Sequence, residues 1–128
     1  MKQGYFVDLE RETLENENFR KVLFTAEHMQ LVVMTILPGE EIGLETHQEH
    51  DQFIRVEEGE GKAIISSEEF TLFDGSAIII PAGNEHNIIN TGNDPLRLYT
   101  IYTPVEHPDG TIHKTKEEAN EHEHEHHS

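Results

Sequence analysis

The chain has 128 residues and carries 9 basic against 26 acidic side chains, a formal net charge of −17 at pH 7. Because so acidic a surface repels phosphate backbones, nucleic acid is not an expected partner. The chain contains no cysteine, which excludes disulfides and thiolate metal ligands and fits a reducing compartment. Its longest apolar runs have the length of strands, so we expect neither a signal peptide nor a membrane span, and we predict a cytoplasmic protein with one domain.

The first predicted elements are an acidic segment followed by two strands. Residues 8–18 are polar and predict a loop or a short, frayed helix. Residues 19–25 and 29–37 are rich in apolar and β-branched side chains and predict strands. In the second of these, both alternating sets of side chains are apolar, which predicts burial of both faces or a subunit contact. We take that strand as an indication of a homodimer.

Short strands and turn signals continue to residue 103. Further strands are predicted at 53–56, 62–65, 70–73, 76–80, 87–89 and 96–103. Glycine, proline, serine and asparagine residues separate them, and Ser66–Glu68 predicts a hairpin turn. Eight or so short strands with regular turns predict an all-β sandwich or barrel.

A regular spacing surrounds His86. Five residues separate Gly75 from Pro81; Gly83, His86 and Asn90 follow at intervals of two, three and four positions. Pro81 ends a strand because it lacks an N–H group, and Gly83 permits the backbone conformation that the turn requires. His86 is therefore delivered at the mouth of the next strand, where its side chain can point into a barrel.

A second regular spacing lies upstream and contains three more candidate ligands. Between Gly39 and Gly59 the chain carries Glu45, His47 two positions later, and Gln52 five positions after that. Fifteen residues separate Gly59 from the start of the His86 segment.

These two segments resemble the two defining motifs of the cupins, in both length and separation. The His86 segment matches at every defining position, whereas the first segment has Glu45 and Gln52 where the family pattern has histidine and glutamate. The resemblance covers roughly residues 30–103. It implies a double-stranded β-helix, the jelly-roll cupin barrel.

The resemblance also implies a metal site at Glu45, His47, Gln52 and His86. This set of nitrogen and oxygen donors suits a divalent transition metal such as Fe, Mn, Ni or Zn. His50 lies in the same loop and can replace Glu45 or Gln52. The alternative is a metal-free cupin in which Glu45 and Gln52 hydrogen-bond to the two histidines.

Alternation along the strands indicates which side chains line the interior. Gln52 shares its face with Ile54 and Val56, and His86 shares its face with Ile88 and Asn90. On the last strand, either Tyr99 or Tyr102 can reach the pocket, although packing or a place on the rim is the commoner role for either one. His107 and His113, in the connector 104–114, can line the pocket mouth of this chain or of a partner subunit.

We divide the chain into a barrel with an N-terminal extension, residues 1–114, and an acidic, histidine-rich tail, residues 115–128. Thr115 to Glu118 can cap a short helix, and otherwise the tail is expected to be disordered. Its four histidines can bind stray metal, which confounds a metal assay.

Two functions stay open at this stage. The resemblance implies a metal-dependent enzyme acting on a small molecule, with dioxygenase- or isomerase-like chemistry. The alternative is a non-catalytic module that binds a sugar or a carboxylate.

Overall fold

The computed structural model describes residues 3–127, with side chains described through residue 121. Within this range the chain forms two helices and ten strands. In order they are α1 (Leu9–Glu15), β1 (Arg20–Thr25), β2 (Gln30–Ile36), β3 (Glu45–Thr46), β4 (Asp51–Glu58), β5 (Gly61–Ile65), β6 (Glu68–Leu72), β7 (Ala77–Ile80), β8 (Glu85–Asn90), β9 (Leu96–Thr103), β10 (Ile112–His113) and α2 (Lys116–His127).

The strands form two sheets in which every pair is antiparallel. One has six strands in the order β10-β1-β2-β9-β4-β7, and the other has four in the order β3-β8-β5-β6. Inward side chains of both sheets form one apolar core: Val22, Val32, Met34, Ile36, Ile54, Val56, Ala63, Leu72, Ile80, Ile88, Leu96 and Leu98. The predicted all-β jelly-roll architecture is confirmed.

Turn residues stand where the turns require them. Ser66 and Ser67 join β5 to β6 with φ values of 46° and 75°, the two left-handed positions of a tight hairpin turn. Gly59 follows β4 with φ at 112°, and a Cβ there would lie 2.8 Å from the carbonyl oxygen of Pro95. A side chain at position 59 is therefore excluded both by backbone strain and by the closeness of the next loop.

Strand β2 is buried on both faces within this one chain. Val32, Met34 and Ile36 face the core, while Val33 and Thr35 lie on the outer face and are also buried. Helix α1 packs over β2, β4 and β9. The Thr35 hydroxyl donates to the carbonyl oxygen of Asn16, just after α1. The N-terminal segment thus accounts for the two-sided burial, and the sequence argument for a homodimer loses its support; the dimer stays a prediction.

Both polar terminal segments contain helix. Asp8 caps α1 by accepting a hydrogen bond from the N–H of Arg11 at 3.3 Å, so residues 8–18 contain the short helix that was one of two expectations. Thr115 caps α2 in the same way, accepting from the N–H of Glu118 at 3.0 Å. Ala119 of α2 is packed into the core. The histidine side chains of the tail lie outside the described residues.

Two short strands were missed by the sequence analysis. β3 and β10 have two residues each and no apolar alternation to reveal them. Each nevertheless pairs with a strand that carries polar inward residues. Among the described residues, no helix has the length and apolar character that a membrane span requires.

Candidate metal centre

Polar side chains gather inside one end of the barrel. The register of the large sheet places Tyr102 of β9 between Gln30 of β2 and Gln52 of β4. All three are almost fully buried, as is the neighbouring Thr100. The prediction that Gln52 shares an inward face with Ile54 and Val56 agrees with the burial of all three.

The two motif segments meet at this end. β3 pairs with β8 so that Glu45 lies opposite His86. The turn before β8 is tied to the first motif, because the N–H of Gly83 donates to the carbonyl oxygen of His47 at 2.9 Å. As a result the ring centroids of His47 and His86 are 5.3 Å apart, and the Glu45 Oε2 is 3.4 Å from the His47 Nε2. Three of the four predicted ligands therefore lie side by side.

The two histidines are oriented through their Nδ1 atoms. The His86 Nδ1 is 2.9 Å from the carbonyl oxygen of Asn84, which can only accept, so Nδ1 is the donor and Nε2 is the nitrogen left to bind a metal. The His47 Nδ1 faces the Glu106 Oε2 at 3.6 Å, while its Nε2 faces Glu45. An acceptor on one ring nitrogen is the usual support of a metal-binding histidine.

Gln52 lies in the interior with one half of its amide satisfied. Its Nε2 donates to the Thr100 hydroxyl at 3.0 Å, whereas its Oε1 is buried without a hydrogen-bond partner. The expectation that Gln52 bonds to a histidine in a metal-free site is therefore wrong. An orphaned, buried carbonyl oxygen is costly, and a cation or a ligand donor would satisfy it.

A second group of donors shares His47. Donor atoms of His47, His50 and Glu106 lie within 4.8 Å of one another. The His50 Nε2 is 3.2 Å from the Glu106 Oε2 and 3.0 Å from the carbonyl oxygen of Val105. Sequence reasoning missed Glu106, because it lies beyond both motifs and has no spacing to mark it.

The loop after β9 brings Glu106 and His107 back over the polar end. The chain leaves β9 through a cis Thr103–Pro104 peptide bond. Gln30 then holds the backbone of His107 at both groups: its Oε1 accepts from the N–H at 2.9 Å and its Nε2 donates to the carbonyl oxygen at 2.7 Å. His107 therefore lies at the polar end, and His113 is buried opposite Arg20 of β1 rather than in an exposed tail.

The first strand carries a buried arginine. Arg20 of β1 is 2% exposed, and its Nη1 lies 3.2 Å from the Nδ1 of His113 on β10. Tyr102 packs edge-on between His47 and His107, with ring centroids 5.9 and 5.2 Å away. Tyr99 faces outward beside Phe53. Of the two tyrosines considered from the sequence, Tyr102 is the one that reaches the site.

Burial keeps the imidazoles of His47 and His107 neutral at pH 7. It lowers the pKa of His47 to about 4, with further lowering by the nearby His86, His50 and Arg20. Burial also lowers the pKa of His107 to about 3, helped by the charge of Arg20. A neutral imidazole with a free lone pair is the form that a metal ion binds, so His47 is available as a ligand at pH 7.

Comparison with known proteins gives the family. Residues 32–102 match the family described as Cupin domain. The uncharacterized protein YrkC of Bacillus subtilis is 46% identical over 121 residues, which cover 90% of this chain and 65% of that protein, slightly less than two thirds of its length. The uncharacterized protein L612 of Acanthamoeba polyphaga mimivirus is 46% identical over 86% of this chain and 71% of its own.

A solved structure extends the likeness to the whole fold. A crystal structure of a Bacillus halodurans protein is 46% identical, with a TM-score of 0.92 over 93% of this chain and 95% of that one. Together with the family match, this similarity agrees with the two-sheet fold. The chain belongs to the cupin family.

Proposed function

We propose that this cupin is a metal-dependent enzyme acting on a small molecule, with a divalent transition metal held by Glu45, His47, Gln52 and His86. The observation that carries the proposal is the meeting of the two histidines and Glu45. The two rings are 5.3 Å apart, and the His47 Nε2 lies 3.4 Å from the Glu45 Oε2. The His86 Nδ1 is held by the carbonyl oxygen of Asn84 at 2.9 Å, which turns its Nε2 away from that bond.

The remaining donors fit such an ion. Glu45 supplies a carboxylate 3.4 Å from His47, and the unpartnered Gln52 Oε1 supplies a neutral oxygen. Two imidazoles and one carboxylate are also the donors of non-haem Fe(II) oxygenase sites, and Zn, Mn and Ni accept the same types. No cysteine is present to favour copper or an iron–sulfur cluster.

The bound metal would supply a Lewis acid or an oxygen-binding centre, which is the basis of dioxygenase- or isomerase-like chemistry. The surrounding residues have supporting roles. Glu106 faces the His47 Nδ1 at 3.6 Å, and Thr100 fixes the Gln52 amide by accepting from its Nε2, so that the amide oxygen remains available. Tyr102 and His107 line the interior next to His47, where a bound small molecule would meet them.

Metal content tests the proposal. We would replace the tail residues His122, His124, His126 and His127 by glutamine in the full-length chain, because deletion from residue 119 would remove the buried Ala119. Elemental analysis of this background should find about one Fe, Mn, Ni or Zn per chain. His86→Ala should remove it, since an imidazole is a major share of the donor set. His28→Ala, at an exposed histidine, is the matched control.

His50→Gln separates the proposed site from the neighbouring donor group. If the metal is held by His47, His50 and Glu106, His50→Gln should empty the site and His86→Ala should leave it filled. The proposed set requires the opposite pattern. Metal-free protein in every variant, even after reconstitution, would refute the enzyme proposal and favour a non-catalytic binding module.

A further inference from the structure

We propose that Asp51 is a positioning residue for the metal site of the proposed function, on which this inference rests. Its carboxylate holds the turn of residues 81–84, between β7 and β8. That turn in turn fixes the backbone of His47 and the ring of His86. Asp51 therefore acts through the two histidines and is not itself a ligand of the ion.

The turn of residues 81–84 contacts both motif histidines through its backbone. The N–H of Gly83 donates to the carbonyl oxygen of His47 at 2.9 Å. The carbonyl oxygen of Asn84 accepts from the Nδ1 of His86, also at 2.9 Å. One short segment thus joins the backbone of the first histidine to the ring of the second. A displacement of this segment would change both the separation of the rings and the direction of the His86 Nε2.

Asp51 holds this segment from the start of β4. It is the first residue of that strand, and its Oδ1 accepts from the N–H of Ala82 at 2.9 Å. A bond from a backbone N–H to a carboxylate is charge-assisted and is stronger than a bond between neutral groups. The next residue, Gln52, pairs with Ile80 in the strand register. The strand that carries the proposed ligand Gln52 therefore also anchors the turn that serves the two histidines.

The turn is braced internally, so a hold at one point is transmitted to the rest of it. The side-chain Nδ2 of Asn84 donates to the carbonyl oxygen of Pro81 at 3.0 Å, and its Oδ1 accepts from the Ser66 hydroxyl at 2.7 Å. The carboxylate of Asp51 then ties this braced unit to β4, beyond the strand pairing that ends at Ile80.

A carboxylate near a cation site can also act by charge alone, and the two roles need different atoms at position 51. Positioning needs an acceptor oxygen for the N–H of Ala82, whereas attraction of the ion needs a negative charge. Asparagine keeps the acceptor oxygen without the charge, and alanine keeps neither. Asp51→Asn and Asp51→Ala therefore separate the two roles.

Asp74 offers a matched control at the opposite end of β4. Its Oδ1 accepts from the N–H of Gly59, the residue after that strand, at 2.8 Å. Asp51 and Asp74 are both exposed carboxylates that hold a backbone N–H far away in sequence. Asp74→Ala removes the same charge and the same kind of bond but leaves the turn of residues 81–84 untouched.

Zn²⁺ titration against a chromophoric chelator tests the proposal in the full-length chain with the four tail histidines replaced by glutamine. Asp51→Ala should weaken Zn²⁺ binding by about tenfold. Asp51→Asn should restore binding to within about twofold of the parent chain, because the acceptor oxygen is kept. Asp74→Ala should leave binding unchanged. Equal losses in Asp51→Asn and Asp51→Ala would show an effect of charge and overturn the proposal. So would an equal loss in Asp74→Ala, or no loss in Asp51→Ala.

NMR spectra of the metal-free protein give a readout that does not need the ion. Asp51→Ala should speed hydrogen exchange at the Gly83 N–H at least about fivefold, and Asp51→Asn should not. Asp51→Ala should also lower the share of His86 protonated at Nδ1, because the Asn84 carbonyl is no longer held in place. Exchange and tautomer that stay unchanged in Asp51→Ala would overturn the proposal. If the chain never takes up metal but both changes appear, the proposed enzyme fails while the positioning of the histidines by Asp51 stands.

Discussion

The two ends of the barrel interior are built by the same strands with opposite chemistry. On β9, Leu96 and Leu98 face the core at one end, and two positions further on Thr100 and Tyr102 face the polar end. β4 changes in the same way, from Val56 and Ile54 to Gln52, and β8 changes from Ile88 to His86. On β4 and β9 one end packs the core and the other presents donors, whereas on β8 the far end carries the buried Asn90, whose amide donates to the carbonyl oxygens of Ile36 and Asp94. A single β-strand can thus serve stability and function without compromise between them.

The apolar end is packed too closely to accept larger side chains. Gly61 approaches the carbonyl oxygen of Ile89 so closely that a Cβ would lie 2.7 Å away. At the polar end, two buried polar atoms have no hydrogen-bond partner within the described residues, the Gln52 Oε1 and the His107 Nε2; the Nε atoms of Arg20 and Arg55 share that property elsewhere. Protein interiors normally satisfy such groups, and where they do not, a bound ion or ligand is a frequent reason. The incomplete end is therefore where we look for function.

Leu98→Ala should lower the free energy of unfolding more than the other substitutions. Its effect should be confined to the packing of the apolar end. Leu98 is fully buried and pairs with Met34 and Val56 in the sheet register. Loss of its side chain leaves a cavity, and we expect the free energy of unfolding to fall by about 2–5 kcal/mol. Urea denaturation measures this, and the metal content of the folded protein should not change. A metal content that falls with stability would show that the two ends are not separable.

The free energy of unfolding of the metal-free protein should depend on pH, because two buried histidines lie at the polar end. His47 and His107 have pKa values near 4 and 3 in the folded chain, against 6.5 as their ordinary value. Between those values the unfolded chain binds more protons than the folded chain, so the free energy of unfolding should fall as pH falls below about 6.5. Each histidine adds a slope of up to about 1.4 kcal/mol per pH unit.

His107→Gln isolates one part of that dependence. It removes one of the two buried imidazoles but keeps the backbone hydrogen bonds between position 107 and Gln30. Urea denaturation at several pH values should give a shallower slope for the variant than for the wild type. Identical slopes would mean that His107 gains its proton as easily in the folded chain as in the unfolded one.

Thr100→Val should have the smallest effect, although it lies only two residues from Leu98. The volume is nearly unchanged, so no cavity forms, but the Gln52 Nε2 loses the acceptor that it has at 3.0 Å. We expect the free energy of unfolding to fall by about 1–3 kcal/mol, the cost of one unsatisfied buried donor. Metal titration should also show weaker binding, since the Gln52 oxygen is no longer held in place. Unchanged metal affinity would remove Gln52 from the proposed ligand set.

The sequence predicted the apolar end better than the polar one. Strands such as β2 and β9 have long alternating or continuous apolar patterns. Their inward residues could therefore be predicted from the two-residue alternation of a β-strand alone. The strands β3 and β10 have two residues each, too short for any period to appear. They form only because a longer neighbour offers hydrogen bonds. Tertiary pairing of that kind leaves no local signal.

The same limit applies to the candidate site. His47 and His86 were found because a fixed spacing surrounds each of them. Glu106 and Arg20 have no such spacing and are 86 positions apart in the chain, by subtraction of their numbers. Whether a lone arginine or glutamate is buried, and what it faces, depends on the register of strands that are far apart in sequence. Only the folded chain supplies that information.

The pairing of β10 with β1 has a consequence for how this protein can be shortened or copied. The family match ends at residue 102, and both motifs lie inside it. The side chains of Glu106, His107 and His113 come after that point, and Arg20 comes before its start. A segment cut at the boundaries of the match would carry His47 and His86 but would lack these four residues. The same loss would follow if only the two motifs were grafted into another barrel. A segment that keeps all of these residues together must therefore run from β1 to β10.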